Sequence, residues 1–172
     1  NLKLYVEERM PDQTVKKFLP SLPLEKANGI VQAALKAGRD ANMQPLTVAV
    51  LDCGGHLVSF QREDGSGILR GEIATGKAWG SLGMGTSSRT IRDRLKERIA
   101  FQNALSNASQ GRFIPVPGGV LICNQDGQVL GSVGISGDTS EKDEYCAIKA
   151  VRAVGLLPDP EEEDPNWNSS GL

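Results

Sequence analysis

The chain has 172 residues, 39 % hydrophobic and 23 % charged, with a formal net charge of −2. That length fits one domain able to bury a core. The near-balanced charge marks neither a nucleic-acid binder nor a protein drawn to anionic membranes, and no apolar run approaches the roughly 20 residues of a membrane span.

Residues 1–23 carry Pro11, Pro20 and Pro23 and read as an arm with at most a short helical turn. The spacing of Leu24, Ala27, Val31, Ala34, Leu35, Gly38 and Ala41 then predicts a helix whose small residues suit close packing on a sheet. Pro45 ends it, and the β-branched run 46–52 predicts a buried strand. The sequence CGGH supplies a tight turn, and residues 57–62 return as the partner strand. Residues 68–84 have helical spacing weakened by glycine. Residues 90–105 predict one amphipathic helix with Ile91, Leu95, Ile99 and Phe101 or Gln102 inward.

The stretch 113–119 reads as an extended loop, and residues 120–124 and 128–136 as a second hairpin turning at Asp126-Gly127. A final helix follows, capped by Thr139 or Ser140, with acids in its first turn and Gly155 closing it. The expected organisation is an arm (1–23), one domain (24–157) and a Pro-rich acidic tail (158–172) lying on the surface as a strap. Helix, hairpin, helices, hairpin, helix is an α+β order with a mostly antiparallel sheet. No phosphate-binding glycine motif follows a strand.

Cys53, Cys123 and Cys146 are widely spaced and form no CxxC pair. This excludes an obvious metal site and points to a reducing, cytoplasmic compartment; a chain starting at Asn1 leaves a removed leader peptide open.

The segments VAVLDCGGHLVSFQREDG, IATGKAW, PVPGGVLI and DGQVLGSVGISGDTSEKDEYCA resemble the GlcG/HbpS family, from about Leu24 to Gly155. The resemblance implies a profilin-like layered fold, with a five-stranded antiparallel sheet between helices. It also implies assembly into homo-oligomers, and haem binding for some members.

His56, the chain's single histidine, admits two functional roles, an axial haem ligand or a general base. The favoured reading is a residue leaving a hairpin turn, its ring capping a backbone carbonyl. Arg62, at a strand end, is a candidate clasp for a carboxylate or propionate. Lys77 sits mid-helix among small residues, matches the lysine of the family's A-x-x-KA motif, and reads equally as a site residue or a snorkelling side chain.

Gly118 and Gly119, and the turn at Gly137 that leads into a helix, offer backbone N–H groups to a ligand or are plain turns. Asp143 and Glu144 are an acid/base pair or simply favour the helix macrodipole. Cys53 reads as reactive or as a soft ligand. The arginines between 89 and 98 form a solvated face or an oligomer contact.

Arg62, Lys77, Asp143 and Glu144 are expected to converge on one cleft. The leading reading is an oligomeric small-ligand-binding protein, its ligand haem or another anionic small molecule, with no nucleic-acid or membrane partner. The competing reading is an enzyme acting on a small carboxylate metabolite, with Arg62 and Lys77 as anion clamp and Glu144 or Asp143 as acid/base. A third is a scaffold that uses its helix faces alone.

Overall fold

The structure, a computed structural model, describes residues 16–169 and 171; most of the predicted arm lies outside them. In chain order the elements are α1 (Leu24–Asp40), β1 (Thr47–Asp52), β2 (Leu57–Arg62), α2 (Leu69–Met84), α3 (Ser88–Leu95), α4 (Ile99–Ala108), β3 (Gly119–Cys123), β4 (Val129–Ser136), α5 (Ser140–Ala153) and β5 (Leu157–Asp159). The five strands form one antiparallel sheet in the order β2-β1-β4-β3-β5. The fold is α+β, as expected.

Both hairpins turn by the same device. The Asp52 carboxylate accepts the N–H groups of Gly54 and His56, and the Asn124 amide oxygen accepts those of Asp126 and Gln128. Such side-chain turns release the chain from the ladder, and Gly55 and Gly127 follow at φ 81° and 76°, where other residues are strained.

The pleat sends alternate side chains to opposite faces. Val48, Val50, Val120, Ile122, Val133 and Ile135 meet the buried sides of α1 and α5. On the other face α2 lies so close that a Cβ at Gly134 would sit 1.8 Å from the Ala74 carbonyl oxygen. One at Gly119 would sit 2.3 Å from that of Lys77. Small residues on both surfaces permit this contact, and Ser132 adds a hydrogen bond to the Ala78 carbonyl at 2.9 Å.

Three expectations are corrected. Residues 90–105 are not one helix: α3 ends at Leu95 and α4 starts at Ile99. The Leu95 carbonyl accepts the Arg98 N–H (2.8 Å) and the Gln102 side-chain amide (2.7 Å), which satisfy the broken end. Ile99 is consequently 68 % exposed rather than inward. The tail, in turn, is more than a surface strap. Leu157–Asp159 supplies the fifth strand, against β3, and Trp167 stacks on Tyr145 of α5, centroids 3.7 Å apart. Leu24, expected on the buried stripe of α1, is exposed.

Candidate functional site

One face of α2 carries an unusual pair of cations, Arg70 half-buried and Lys77 buried. Arg70, Ala74 and Lys77 follow i, i+4, i+7 and so share one face. Lys77 is 2 % exposed, yet it does not stay in its own layer. Its ammonium reaches across the end of the sheet, donates to the Ile135 carbonyl at 2.9 Å, and meets Asp143 Oδ2 at 2.9 Å. Asp143 belongs to α5, on the opposite face. The passage exists because residue 118 is glycine at φ 114°: a Cβ there would lie 2.9 Å from Lys77 Nζ and 3.1 Å from Asp143 Cβ.

The first turn of α5 continues the polar cluster. Asp143 Oδ1 accepts the Asp138 N–H at 3.1 Å. The Asp138 carboxylate accepts the N–H groups of Gln44 and Thr139 and lies 3.2 Å from the Lys142 ammonium. Burial alone would raise the Asp138 pKa; those donors outweigh it and hold the carboxyl below its ordinary value. For Asp143 burial prevails and pushes the carboxyl up, against the pull of Lys77, the Asp138 N–H and Arg70.

Arg70 stands at the edge of this cluster. Its guanidinium donates to Ser136 Oγ at 3.2 Å, and among the described residues no carboxylate forms a salt bridge with it. Beside it opens a small polar cleft of about 220 Å³, lined by Gln44, Pro45, Ser66, Arg70 and the backbone of Gly65, Gly67 and Gly137. The hydroxyls of Ser66 and Thr47 meet at 2.8 Å near its floor.

The predicted site residues fall in three places. Lys77, Asp143 and Gly118 meet, with Gly119 beneath the Lys77 carbonyl and Gly137 lining the cleft. Arg62 does not join them: it is exposed, in a depression beyond Pro45 lined by Leu35, Arg39, Gln61, Glu63 and Asp64. Arg70 takes the place expected of Arg62. The signal for it was available, seven residues before Lys77 on the same helical face.

Glu144 also stands apart from Lys77. It is fully buried, 3.2 Å from the Arg89 guanidinium, with neither oxygen hydrogen-bonded. The acidic tail lies close by: Arg89 donates to the Glu162 carbonyl, and Asp164 acts on Glu144 through space. Burial raises the Glu144 pKa to about 7, opposed by Arg89 and Arg92 and assisted by Asp164 and Glu141.

His56 is 81 % exposed at the β1–β2 turn. Its ring lies against the Asp52 carboxylate at 3.3 Å rather than capping a backbone carbonyl. The adjoining Gly55 sits over Trp79, which together with Leu69, Ile73 and Ile114 walls a mostly apolar groove of about 540 Å³ along α2. Arg112 covers the Trp79 ring at 4.2 Å. All three cysteines are free thiols, Cys53 exposed and Cys123 and Cys146 buried. Among the described residues no cluster of His, Cys, Asp and Glu is arranged to hold a metal ion, and no helix is long and apolar enough to cross a membrane.

Comparison with known proteins gives one family. Residues 22–152 match the family described as haem degrading protein HbpS-like. The corrinoid adenosyltransferase PduO of Salmonella typhimurium is 24 % identical over 90 % of the chain, which spans 45 % of that protein; the Citrobacter freundii PduO match spans 40 %. An uncharacterised 15.0 kDa protein from the Citrobacter freundii dhaT-dhaS intergenic region is 26 % identical over 81 % of the chain and 96 % of its own length. Among solved structures, Klebsiella pneumoniae ORFY aligns with TM-score 0.72 and 25 % identity over 85 % of the chain and 99 % of its own. A PduOC:heme complex aligns with TM-score 0.69 and 24 % identity over 78 % and 96 %. A double mutant of HbpS from Streptomyces reticuli aligns with TM-score 0.66 and 22 % identity over 82 % and 91 %.

Proposed function

This chain belongs to the HbpS-like family, and on that premise we propose that it is a homo-oligomeric small-ligand-binding protein whose ligand is a small anion held in the polar cleft beside Arg70. One observation carries the reading: among the described residues Arg70 has only a neutral hydroxyl as a direct partner, at the mouth of a cleft of serine hydroxyl and glycine backbone. Lys77 is neutralised by Asp143, and Lys142 by Asp138. Arg70 is therefore the uncompensated charge of the cluster, and its planar fork matches a carboxylate.

Haem is the second reading, because haem appears in the family's description and in the complex formed by one structural relative. The α2 groove fits part of such a molecule. Its apolar walls suit a macrocycle face, and Arg112 suits a propionate. It does not fit the iron, since among the described residues no imidazole, thiol, thioether or phenol lines it. The chain's one imidazole lies on an exposed turn.

The enzyme reading needs an acid or base that reaches the anion. Glu144 is paired elsewhere, with Arg89, and Asp143 is engaged by Lys77, so binding is favoured over turnover.

Calorimetric titration with acetate, oxalate and their neutral amides tests the proposal. The wild type is expected to bind the carboxylates and not the amides, and Arg70→Gln to weaken them at least about tenfold, the weight of one charge-assisted hydrogen bond. Equal binding of acid and amide, or an unaffected Arg70→Gln, would reject it. A haem titration followed by the Soret band decides the second reading, with binding expected to survive His56→Ala.

A further inference from the structure

Glu144 is fully buried, and neither of its carboxylate oxygens has a hydrogen-bond partner among the described residues. A buried charge left in that state is costly. The tail beyond β5 reaches the same corner of the molecule through one shared side chain. Arg89 Nε lies 3.2 Å from Glu144 Oε1, while its Nη2 donates to the Glu162 carbonyl at 2.6 Å. Further contacts hold the tail along α5. Arg152 donates to the Glu161 carbonyl and the Glu162 carboxylate, Lys149 lies 3.5 Å from Glu163, and Trp167 stacks on Tyr145, the neighbour of Glu144 in the chain. Trp167 and Asn168 also wall an open groove of about 670 Å³, whose other sides include Ala33 and Lys36 of α1 and Lys149 of α5.

Among the described residues, the charged groups that act on Glu144 come from three places. Arg89 and Arg92 of α3 favour its ionised form, whereas Glu141 of α5 and Asp164 of the tail oppose it. Burial outweighs the two arginines and raises the carboxyl to about 7. Burial depends in part on the docked tail, and the influence of Asp164 depends on it wholly. A proton on Glu144 and a docked tail therefore favour each other, each by the same factor. Once the proton is lost, the carboxylate gains water and escapes Asp164 if the tail departs, and it keeps Arg89. The direction follows: docking is tightest at acid pH, and weakens as pH rises from the ordinary glutamate value towards the raised one.

We infer that residues 161–169 form a proton-dependent clasp, docked on α5 while Glu144 is neutral and released when Glu144 ionises. Release removes the Trp167 wall and opens the groove between α1 and α5 to Tyr145.

Limited proteolysis is the test, because the cleavage rate follows the population of the released form when docking is fast. A glutamyl-specific protease acts on residues 161–163, and its rate on a free peptide of residues 156–169 corrects for the pH dependence of the protease itself. From about pH 5.5 to about pH 8.5 the corrected rate is expected to rise at least about tenfold, the weight of one pKa unit. The circular dichroism spectrum should not change. Glu144→Gln, which cannot ionise, should show no rise. Asp164→Asn, which can still accept the Asn166 N–H, leaves the core untouched and decides the matter if the first variant does not fold. Measured against its own matched peptide, it should cleave more slowly than the wild type at the alkaline pH and equally at the acid one. A flat wild-type profile, an undiminished rise in either variant, or cleavage that spreads through the domain as its circular dichroism is lost would each overturn the clasp.

Discussion

The buried Lys77–Asp143 pair and the buried Glu144 respond in opposite ways to substitution. Removing one partner of a buried ion pair strands the other charge, at about 3–5 kcal/mol. Lys77→Met and Asp143→Leu should each lose that much in urea denaturation. The double variant should lose clearly less than the sum, because no charge is then stranded. Additive losses would mean that the 2.9 Å contact is not a coupled pair.

Glu144 works in the opposite sense. Its folded pKa, about 7, lies above its ordinary value, so the folded state binds the proton more tightly. Stability from this group is complete at acid pH, falls as pH rises from about 4.5, and is gone above about 7. Glu144→Gln, which cannot ionise, should flatten that slope and stabilise the protein at pH 8 by roughly 1–3 kcal/mol. An identical pH profile in both proteins would disprove it.

These roles were only partly legible in the sequence. Lys77 drew attention as a lysine among small residues. Its partner was hidden, because two residues 66 apart meet only once the sheet has brought α2 and α5 to the same end. Arg62 drew the clamp assignment as a strand-end arginine, and the fold places that end on the wrong side of Pro45.

Among the elements, α2 depends on glycine in the strands beneath it. Gly134→Ala would drive a methyl into the Ala74 carbonyl, 1.8 Å away with the backbone fixed, so helix or strand must move. A loss of at least about 3 kcal/mol is expected, the upper range for overpacking; a loss below about 1 kcal/mol would show that the helix lifts freely.

The hairpins were readable because their turns are local chemistry, an Asp or Asn followed by glycine. The α3–α4 break was not. Lys96, Glu97 and Arg98 are ordinary helix formers, and the interruption rests on Gln102 folding back to Leu95. Nor was β5, three residues with a central proline, a composition that argues against a strand except at an edge.

At the scale of the whole molecule, the tail ties distant elements together. Arg89 of α3 holds the Glu162 carbonyl, Arg152 of α5 holds the Glu162 carboxylate, and Trp167 stacks on Tyr145. Trp167→Ala removes that stacking and its buried area, about 2 kcal/mol, and should lower Tm by roughly 4–8 °C in a chain of this size. An unchanged Tm would make the tail an ornament.

The Lys77–Asp143 contact has a wider effect on motion. Sheets sandwiched between helical layers often shed one layer before the other, and their amides then exchange with solvent at separate free energies. Here a charge from one layer is anchored in the other, so neither α2 nor α5 can lift away without exposing a stranded ion. Both helices therefore belong to a single opening unit: their slowest amides exchange deuterium together, at the free energy of global unfolding.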